Sequence, residues 1–280
     1  DFLVVDSVQV MHREGEGAGV PGGVTQVRTV AQALTQYAKQ TGTTVLLVGH
    51  VTKEGGLAGP KVLEHIIDAS LLLESEVGAR FRLLRSRKNR FGAAEELGVF
   101  AMTEKGMRPV ANPSAIFLGS RDRPPAAGSA VVVTWEGTRP LLVELQVLVD
   151  EAQGAAPRRL AVGLDGNRLG LLLAVLHRHG GYALGDQDVF ANVVGGLRIH
   201  ETGLDLAVAL AVVSSFRDRP LPSGLVVFGE IGLTGELRPV ANGQERLREA
   251  AKHGFARAVI ARGNRPPQPI EGLRVECVRD

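Results

Sequence analysis

The chain has 280 residues, of which 44% are hydrophobic and 22% charged, so it can bury a substantial core and is not mainly disordered. Because 32 Lys and Arg stand against 30 Asp and Glu, overall charge does not predict nucleic-acid binding, and any such site must rest on local clusters. One cysteine excludes a disulfide framework and a cysteine zinc site, and the lack of a long apolar run leads us to expect a cytoplasmic protein.

The first third of the chain alternates apolar runs with Gly-rich loops. The pattern predicts strands over residues 2–5, 44–50 and 66–74 and a helix over residues 24–40. Such strands, separated by helices or long loops, indicate a parallel sheet covered on both faces. Functional groups of these sheets lie at the carboxyl edge, where the sequence places Asp6, His50 and two loops, Arg13–Gly23 and Lys53–Pro60.

These positions suit phosphate chemistry, although each has a simpler interpretation. An Asp at the end of a buried strand, such as Asp6, can orient metal-bound water beside phosphates, or it can be a surface acid. The glycines would let main-chain amides approach a DNA backbone, and Arg28 and Lys53 add charge, but many Gly-rich loops are only connections. His50 could sense a phosphate or be a hydrogen-bonded residue at the sheet edge.

Residues 79–87 alternate apolar and basic side chains, and residues 96–107 predict a second strand that ends in a Gly turn, so the two form an antiparallel pair. Six cations lie close together, without an acid among them: Arg80, Arg82, Arg85, Arg87, Lys88 and Arg90. Like charges repel, so this cluster predicts contact with an anion, the alternative being a solvated strand face. Lys88 and Arg90 flank Asn89 at a solvent-facing tip, from which they could reach a neighbouring subunit's nucleotide.

Gly, Pro and Ser residues over 118–128 predict a linker between a first domain, residues 1–117, and a second domain, residues 129–280. The second domain begins with a hairpin-like stretch over residues 131–149 and then alternates strand and helix signals. Glu201 and Asp205 stand one helical turn apart and could form a paired acid or metal site. We favour first-turn carboxylates stabilised by the helix dipole, and we predict no metal site in this chain.

The motif Lys88-Asn89-Arg90-Phe91-Gly92, with Asp6 and the two loops, resembles the RadA (Sms) family of bacterial recombination and repair ATPases, which are related to RecA and to DnaB-type ring helicases. The resemblance implies an α/β fold, the C-terminal part of a RecA-like parallel-sheet ATPase core, followed by an α+β domain similar to the proteolytic domain of Lon. It implies a Walker B acid at Asp6 and a motif that couples DNA to ATP hydrolysis, with Lys88 and Arg90 as catalytic groups. The DNA-binding residues so implied are Arg28, Lys53, Arg85, Arg87, Lys88 and Arg90.

Two features of that family are absent from these 280 residues, the four-cysteine zinc finger and the phosphate-binding GxxxxGK[ST] loop. We therefore expect ATP and Mg²⁺ to be used by the full-length protein, zinc to bind its finger, and this chain alone not to hydrolyse ATP. The chain opens without Met inside an apolar run, which indicates a piece of a longer protein. In the Lon pattern, Glu201 and Gln244 take the positions of the catalytic Ser and Lys, so no peptidase nucleophile or base remains.

The function implied by the resemblance is a DNA-dependent ATPase that processes recombination intermediates by branch migration, in the manner of a ring helicase. Its implied partners are single-stranded or branched DNA, further copies of itself in a hexameric ring, and a recombinase, with no membrane. Two alternatives stay open: a non-catalytic module that only assembles the ring, and a Lon-like serine–lysine peptidase, which the residues oppose.

Overall fold

A computed structural model describes most of the chain, over residues 1–12, 23–50, 62–74, 81–94, 96–118, 124–154 and 156–280. The chain forms two compact units, one of residues 1–73 with 84–97 and one of residues 74–83 with 98–280. Within the described residues no helix combines the length and the apolar character that a membrane span requires. The boundary predicted at 118–128 stays a prediction.

The first unit contains strand β1 (Phe2–Asp6), helix α1 (Val24–Thr41), strand β2 (Thr44–Val48) and the short helix α2 (Val62–Ile66). β1 and β2 pair in parallel. Helical spacing in α1 places Val27, Val30 and Ala31 on one buried face, where they pack with Val8 and Leu63. The first two predicted strands and the helix between them are thus confirmed.

A four-stranded sheet follows in the order β3-β4-β5-β6. Its strands are β3 (Ala69–Glu74), β4 (Phe81–Asn89), β5 (Leu97–Thr103) and β6 (Gly106–Pro109). The prediction that the third apolar run joins the parallel sheet is wrong for the described residues, because β3 hydrogen-bonds to β4 instead. β4 is the next strand along the chain, and sequential strands usually pair. β4 and β5 are neighbours as predicted, and Gly106, with a φ of 92°, forms the turn after β5.

The second unit is built around a seven-stranded mixed sheet in the order β15-β14-β11-β7-β8-β10-β9. Its strands are β7 (Ser129–Glu136), β8 (Arg139–Glu151), β9 (Arg159–Val162), β10 (Gln187–Val193), β11 (Leu225–Phe228), β14 (Arg257–Ala261) and β15 (Arg274–Val278). The remaining elements are helices α3 (Ser114–Phe117), α4 (Gly166–Arg178), α5 (Asp205–Phe216) and α6 (Gly243–Lys252), and a small pair of strands, β12 (Glu230–Ile231) and β13 (Leu237–Arg238). The predicted hairpin over residues 131–149 is confirmed by the antiparallel pairing of β7 with β8.

Helix α5 is buried almost throughout, because it packs on β7, β8 and β11 and also contacts α4. Two of its serines tie it to the sheet: the Gly128 amide donates to Ser214 Oγ at 3.0 Å, and the Val149 amide donates to Ser215 Oγ at 2.9 Å. The sheet contains parallel pairs, β11 with β7 and β14, and β14 with β15. A mixed α/β fold is therefore confirmed, whereas the finer RecA-like and Lon-like assignments stay predictions.

Candidate functional site

The carboxyl edge of the β1–β2 pair carries Asp6 and His50. Asp6 is the last residue of β1, lies opposite Val48 at the end of β2, and is exposed. The peptide bond between Asp6 and Ser7 is cis. The chain after β1 stays close to the end of β2, since the Gln9 side-chain amide donates to the His50 carbonyl at 3.4 Å. An exposed carboxylate at this edge suits the magnesium shell of a nucleotide hydrolase.

The predicted DNA-facing loops lie almost wholly outside the described residues. Only Gly23, at the end of the first loop, is described, and Lys53 in the second loop is not. Arg28 is exposed on the first half of α1.

Lys88, near the end of β4, is bound to main-chain carbonyls instead of standing free. Its ammonium group donates hydrogen bonds to the carbonyl oxygens of Glu64 and Ile67, the latter at 2.8 Å. These carbonyls lie at the C-terminal end of α2, where helical carbonyls have no partner within the helix. The expectation that Lys88 lies on a solvent-facing tip is therefore wrong: it is half-buried and caps α2.

The next residues of the motif form a turn that displays an aromatic ring. Asn89 Oδ1 accepts a hydrogen bond from the Phe91 amide at 3.0 Å, and its Nδ2 donates to the Ala93 carbonyl at 3.4 Å. The ring of Phe91 is 83% exposed, an unusual position for so large an apolar group. Gly92 passes close to Asn89, because a Cβ there would lie 3.1 Å from Asn89 Nδ2.

Arg90 is bound differently from Lys88. Its Nη1 lies 2.8 Å from Asp68 Oδ1, and its amide donates to the Asp68 carbonyl at 3.0 Å. Both side chains remain about half exposed. Of the other predicted cations, Arg85 is half-buried on β4 and Arg87 is exposed, on either side of the buried Ser86. The motif therefore offers solvent one aromatic ring and one partly engaged guanidinium.

In the second unit, Glu201 and Asp205 each bind an arginine. Glu201 accepts from Arg246 Nη1 at 2.8 Å and Nη2 at 2.6 Å, and from the Trp135 amide at 2.8 Å. Arg246 is 1% exposed and also donates to the Val133 and Ala241 carbonyls. Glu201 precedes a short 3-10 turn, so the α-helix begins only at Asp205.

Asp205 is fully buried and bound by Arg168, whose Nε lies 3.0 Å from Asp205 Oδ1. Burial raises the pKa of the Asp205 carboxyl, and the hydrogen bonds from Arg168 and the Ile231 amide oppose that rise. The pair lies in the wall of a cavity of about 300 Å³. The expectation of a first-turn carboxylate is confirmed for Asp205, which begins α5, and is wrong for Glu201, which precedes the 3-10 turn. Each of the two also belongs to an arginine pair that sequence reasoning missed. An Asp in an otherwise apolar helix was the available signal, because a buried charge needs a partner.

The residues that a serine–lysine peptidase requires are absent from the predicted positions. Gln244 lies in the first turn of α6, and Lys252 lies at the last residue of that helix with a side chain that is 76% exposed. Ser214 is occupied, because its hydroxyl donates to the Arg219 carbonyl at 2.6 Å. In the described part of this unit, an ion-pair network therefore occupies the place where a serine–lysine peptidase would have its catalytic dyad.

The chain is similar to one known family over part of its length and to several named proteins over nearly all of it. The family described as "Subunit ChlI of Mg-chelatase" matches residues 173–264, which lie in the second unit. Proteins named "DNA repair protein RadA" are similar over nearly the whole chain: that of Salmonella typhimurium (strain LT2) is 62% identical over 99% of this chain and 60% of the relative, and that of Escherichia coli (strain K12) has the same values. That of Bacillus subtilis (strain 168) is 45% identical over 100% of this chain and 61% of the relative. The chain spans about 60% of the length of these relatives.

Proposed function

Since the chain belongs to the family of bacterial RadA DNA repair proteins, we propose that it is part of a DNA-dependent ATPase that acts on recombination intermediates during DNA repair. The finer proposal is branch migration in the manner of a ring helicase. The chain spans about 60% of its relatives, so ATP hydrolysis is proposed for the full-length protein.

The observation that carries this proposal is the turn at residues 88–92. It presents the 83% exposed ring of Phe91 beside the half-exposed guanidinium of Arg90. Proteins that bind single-stranded nucleic acid combine aromatic rings, on which bases stack, with cations that follow the backbone. The turn is also held in place, because Asn89 binds the Phe91 amide and Lys88 binds the end of α2. A preorganised turn loses little entropy when it binds.

The proposed nucleotide chemistry involves Asp6. Its carboxylate at the carboxyl edge of β1 would hold the hydration shell of Mg²⁺, and the metal when bound would neutralise charge on the transferred phosphate. The phosphate-binding loop that this mechanism also requires is not among these 280 residues and would come from the rest of the protein.

We propose that the second unit is a scaffold for assembly without peptidase chemistry. Two observations support this proposal: Glu201 is bound by Arg246, and position 244 holds a glutamine where the peptidase would have a lysine. A ring of identical subunits needs only complementary faces that close by rotation, so loss of catalysis leaves assembly intact. A hexameric ring and a recombinase partner belong to this proposal.

The test is DNA-stimulated ATP hydrolysis by the full-length protein carrying Phe91→Ala. We expect the stimulation by single-stranded DNA to fall severalfold, since base stacking on an aromatic ring contributes about 1–3 kcal/mol per base. Met107→Ala, at a 47% exposed apolar side chain on β6, is the matched control and should leave stimulation unchanged. Equal stimulation of the wild type and the Phe91→Ala variant would contradict the proposal.

A further inference from the structure

Arg90 is held by an internal carboxylate at the position where the proposed function places a phosphate. Arg90 Nη1 lies 2.8 Å from Asp68 Oδ1, and this is a single-atom contact, not a two-pronged one. Among the described residues, Nε and Nη2 of Arg90 bind no acceptor. An arginine used this way keeps most of its donors for a second anion, and phosphate suits the planar fork of the guanidinium.

The attraction between Arg90 and Asp68 is also weak, because both side chains are exposed to solvent. The side chains are 50% and 42% exposed, so water and salt screen the attraction. Contrast this with the second unit, where Arg246 is 1% exposed and binds both oxygens of Glu201. A phosphate therefore has little to displace at Arg90.

The main chain beside the pair stays fixed whichever anion the side chain binds. The Arg90 amide donates to the Asp68 carbonyl at 3.0 Å, and Lys88 independently binds the carbonyls of Glu64 and Ile67. These bonds do not involve the Arg90 guanidinium. The side chain of Arg90 can thus leave Asp68 while the turn and the end of α2 remain joined.

We propose that Asp68 is a positioning residue that holds Arg90 in the absence of a phosphate and yields it when one arrives. The proposal rests on the proposed function, because it needs a phosphate ligand at this turn. The shared chemistry is a phosphate group, which the DNA backbone or a nucleotide could supply. Asp68 thereby sets a threshold for binding: it competes with the ligand for the same cation.

The experiment compares Asp68→Asn with Glu64→Gln in the full-length protein. Both variants remove one negative charge near the turn, but within the described residues the carboxylate paired with Arg90 is that of Asp68, and Glu64 takes part in the turn through its carbonyl. One arm measures anisotropy of a fluorescent single-stranded oligothymidylate without nucleotide, and the other measures binding of ADP with Mg²⁺ without DNA.

We expect Asp68→Asn to bind one of these probes about two- to fivefold more tightly than Glu64→Gln, the range in which exposed ion pairs are measured. The arm that shows the gain identifies the source of the phosphate. A merely structural role of Asp68 would weaken binding instead, so the sign of the change separates the two. The gain should vanish when Arg90→Ala is added to Asp68→Asn.

Equal affinities of Asp68→Asn and Glu64→Gln in both arms would overturn this proposal, and so would a gain in affinity that survives Arg90→Ala. In either case, binding of a probe by the wild type would leave the proposed function standing. If the wild type binds neither probe, the proposed function fails and this proposal fails with it.

Discussion

At the scale of single residues, the motif over residues 88–92 divides its work between two cations. Lys88 is half-buried and bound to two carbonyls, whereas Arg90 is half exposed and bound through one atom to a carboxylate. Charge-assisted bonds to helix-end carbonyls stabilise local structure, and an exposed guanidinium with unused donors serves recognition. Substitutions of the two residues should therefore differ in kind: one should loosen the fold locally, and the other should weaken binding.

We predict that Lys88→Met loosens the end of α2. The methionine keeps the length of the side chain but cannot donate to the Glu64 and Ile67 carbonyls, which are then left without their cap. Losing about 1–2 kcal/mol of local stability should speed hydrogen exchange of the Ile67 amide, which donates to the Leu63 carbonyl at 3.1 Å, by about 5- to 30-fold.

Lys39→Met, in the last turn of α1, is the control for this measurement and should leave exchange at Ile67 unchanged. Unaltered exchange at Ile67 in Lys88→Met would show that the two carbonyl bonds do not hold α2.

A second prediction at this scale concerns the buried Arg168–Asp205 pair. Arg168→Met leaves Asp205 fully buried without its cation, which typically costs about 3–5 kcal/mol of unfolding free energy. Burial already raises the pKa of the Asp205 carboxyl, and removing the Arg168 hydrogen bonds should raise that pKa further. A raised folded-state pKa means that stability is retained at low pH, where the carboxyl is protonated, and is lost as pH rises through that pKa.

The check is urea denaturation at pH 5 and pH 8. The loss caused by Arg168→Met should be larger at pH 8, and adding Asp205→Asn should remove most of this added pH dependence, because the side chain at position 205 can then no longer ionise. A loss that is the same at both pH values would mean that Asp205 does not carry the effect.

At the scale of elements, the sequence pattern predicted those helices and hairpins that form between residues close together in the chain. Helix α1 follows from apolar residues at helical spacing, and the β7–β8 hairpin follows from two apolar runs around Gly137, whose φ is 62°. The partner of β3 was missed because an apolar run predicts a strand and says nothing of its neighbour. The arginine pairs were missed for the same reason: Arg246 and Glu201 stand 45 residues apart and meet only in the folded chain.

Two glycines with positive φ, one at or just before the start of a strand in each of the two larger sheets, give a further prediction. Gly128 has a φ of 84°, and a Cβ there would lie 2.0 Å from the Val147 carbonyl oxygen, a main-chain atom that cannot move aside. Gly106 has a φ of 92° with nothing within 4 Å of the added atom. Both substitutions to Ala carry the strain of positive φ, about 1–2 kcal/mol, but only Gly128→Ala adds a clash with the main chain of β8.

We expect Gly128→Ala to lower the free energy of unfolding of the second unit by about 3 kcal/mol or more, and Gly106→Ala by about 1–2 kcal/mol. Chemical denaturation of the two variants side by side measures the difference. If Gly128→Ala is no less stable than Gly106→Ala, the approach of Gly128 to Val147 is not as close as described.

At the scale of the whole molecule, charge is balanced and function must therefore be local. With 32 basic and 30 acidic residues, the net charge of the chain is only +2, so any attraction for DNA must come from local clusters of basic residues. In the second unit, Arg168 and Arg246 are largely buried, and each is bound to a carboxylate in the same unit. These cations stabilise the fold and are not available for phosphates, so the composition overstates how much of the basic charge can bind DNA.

The last prediction is the salt dependence of DNA binding by the full-length protein. Each phosphate that a cation neutralises releases counterions, so the slope of log affinity against log salt measures the number of cations engaged, at about 0.7 per contact for single strands. Arg90→Ala should reduce the magnitude of this slope by about 0.7, because its guanidinium is exposed and only partly engaged. Lys88→Met should leave the slope nearly unchanged, because its ammonium is already bound to the Glu64 and Ile67 carbonyls. Titrations of an oligothymidylate at several salt concentrations provide the slopes, and a loss of slope in Lys88→Met equal to that in Arg90→Ala would show that both cations reach phosphate.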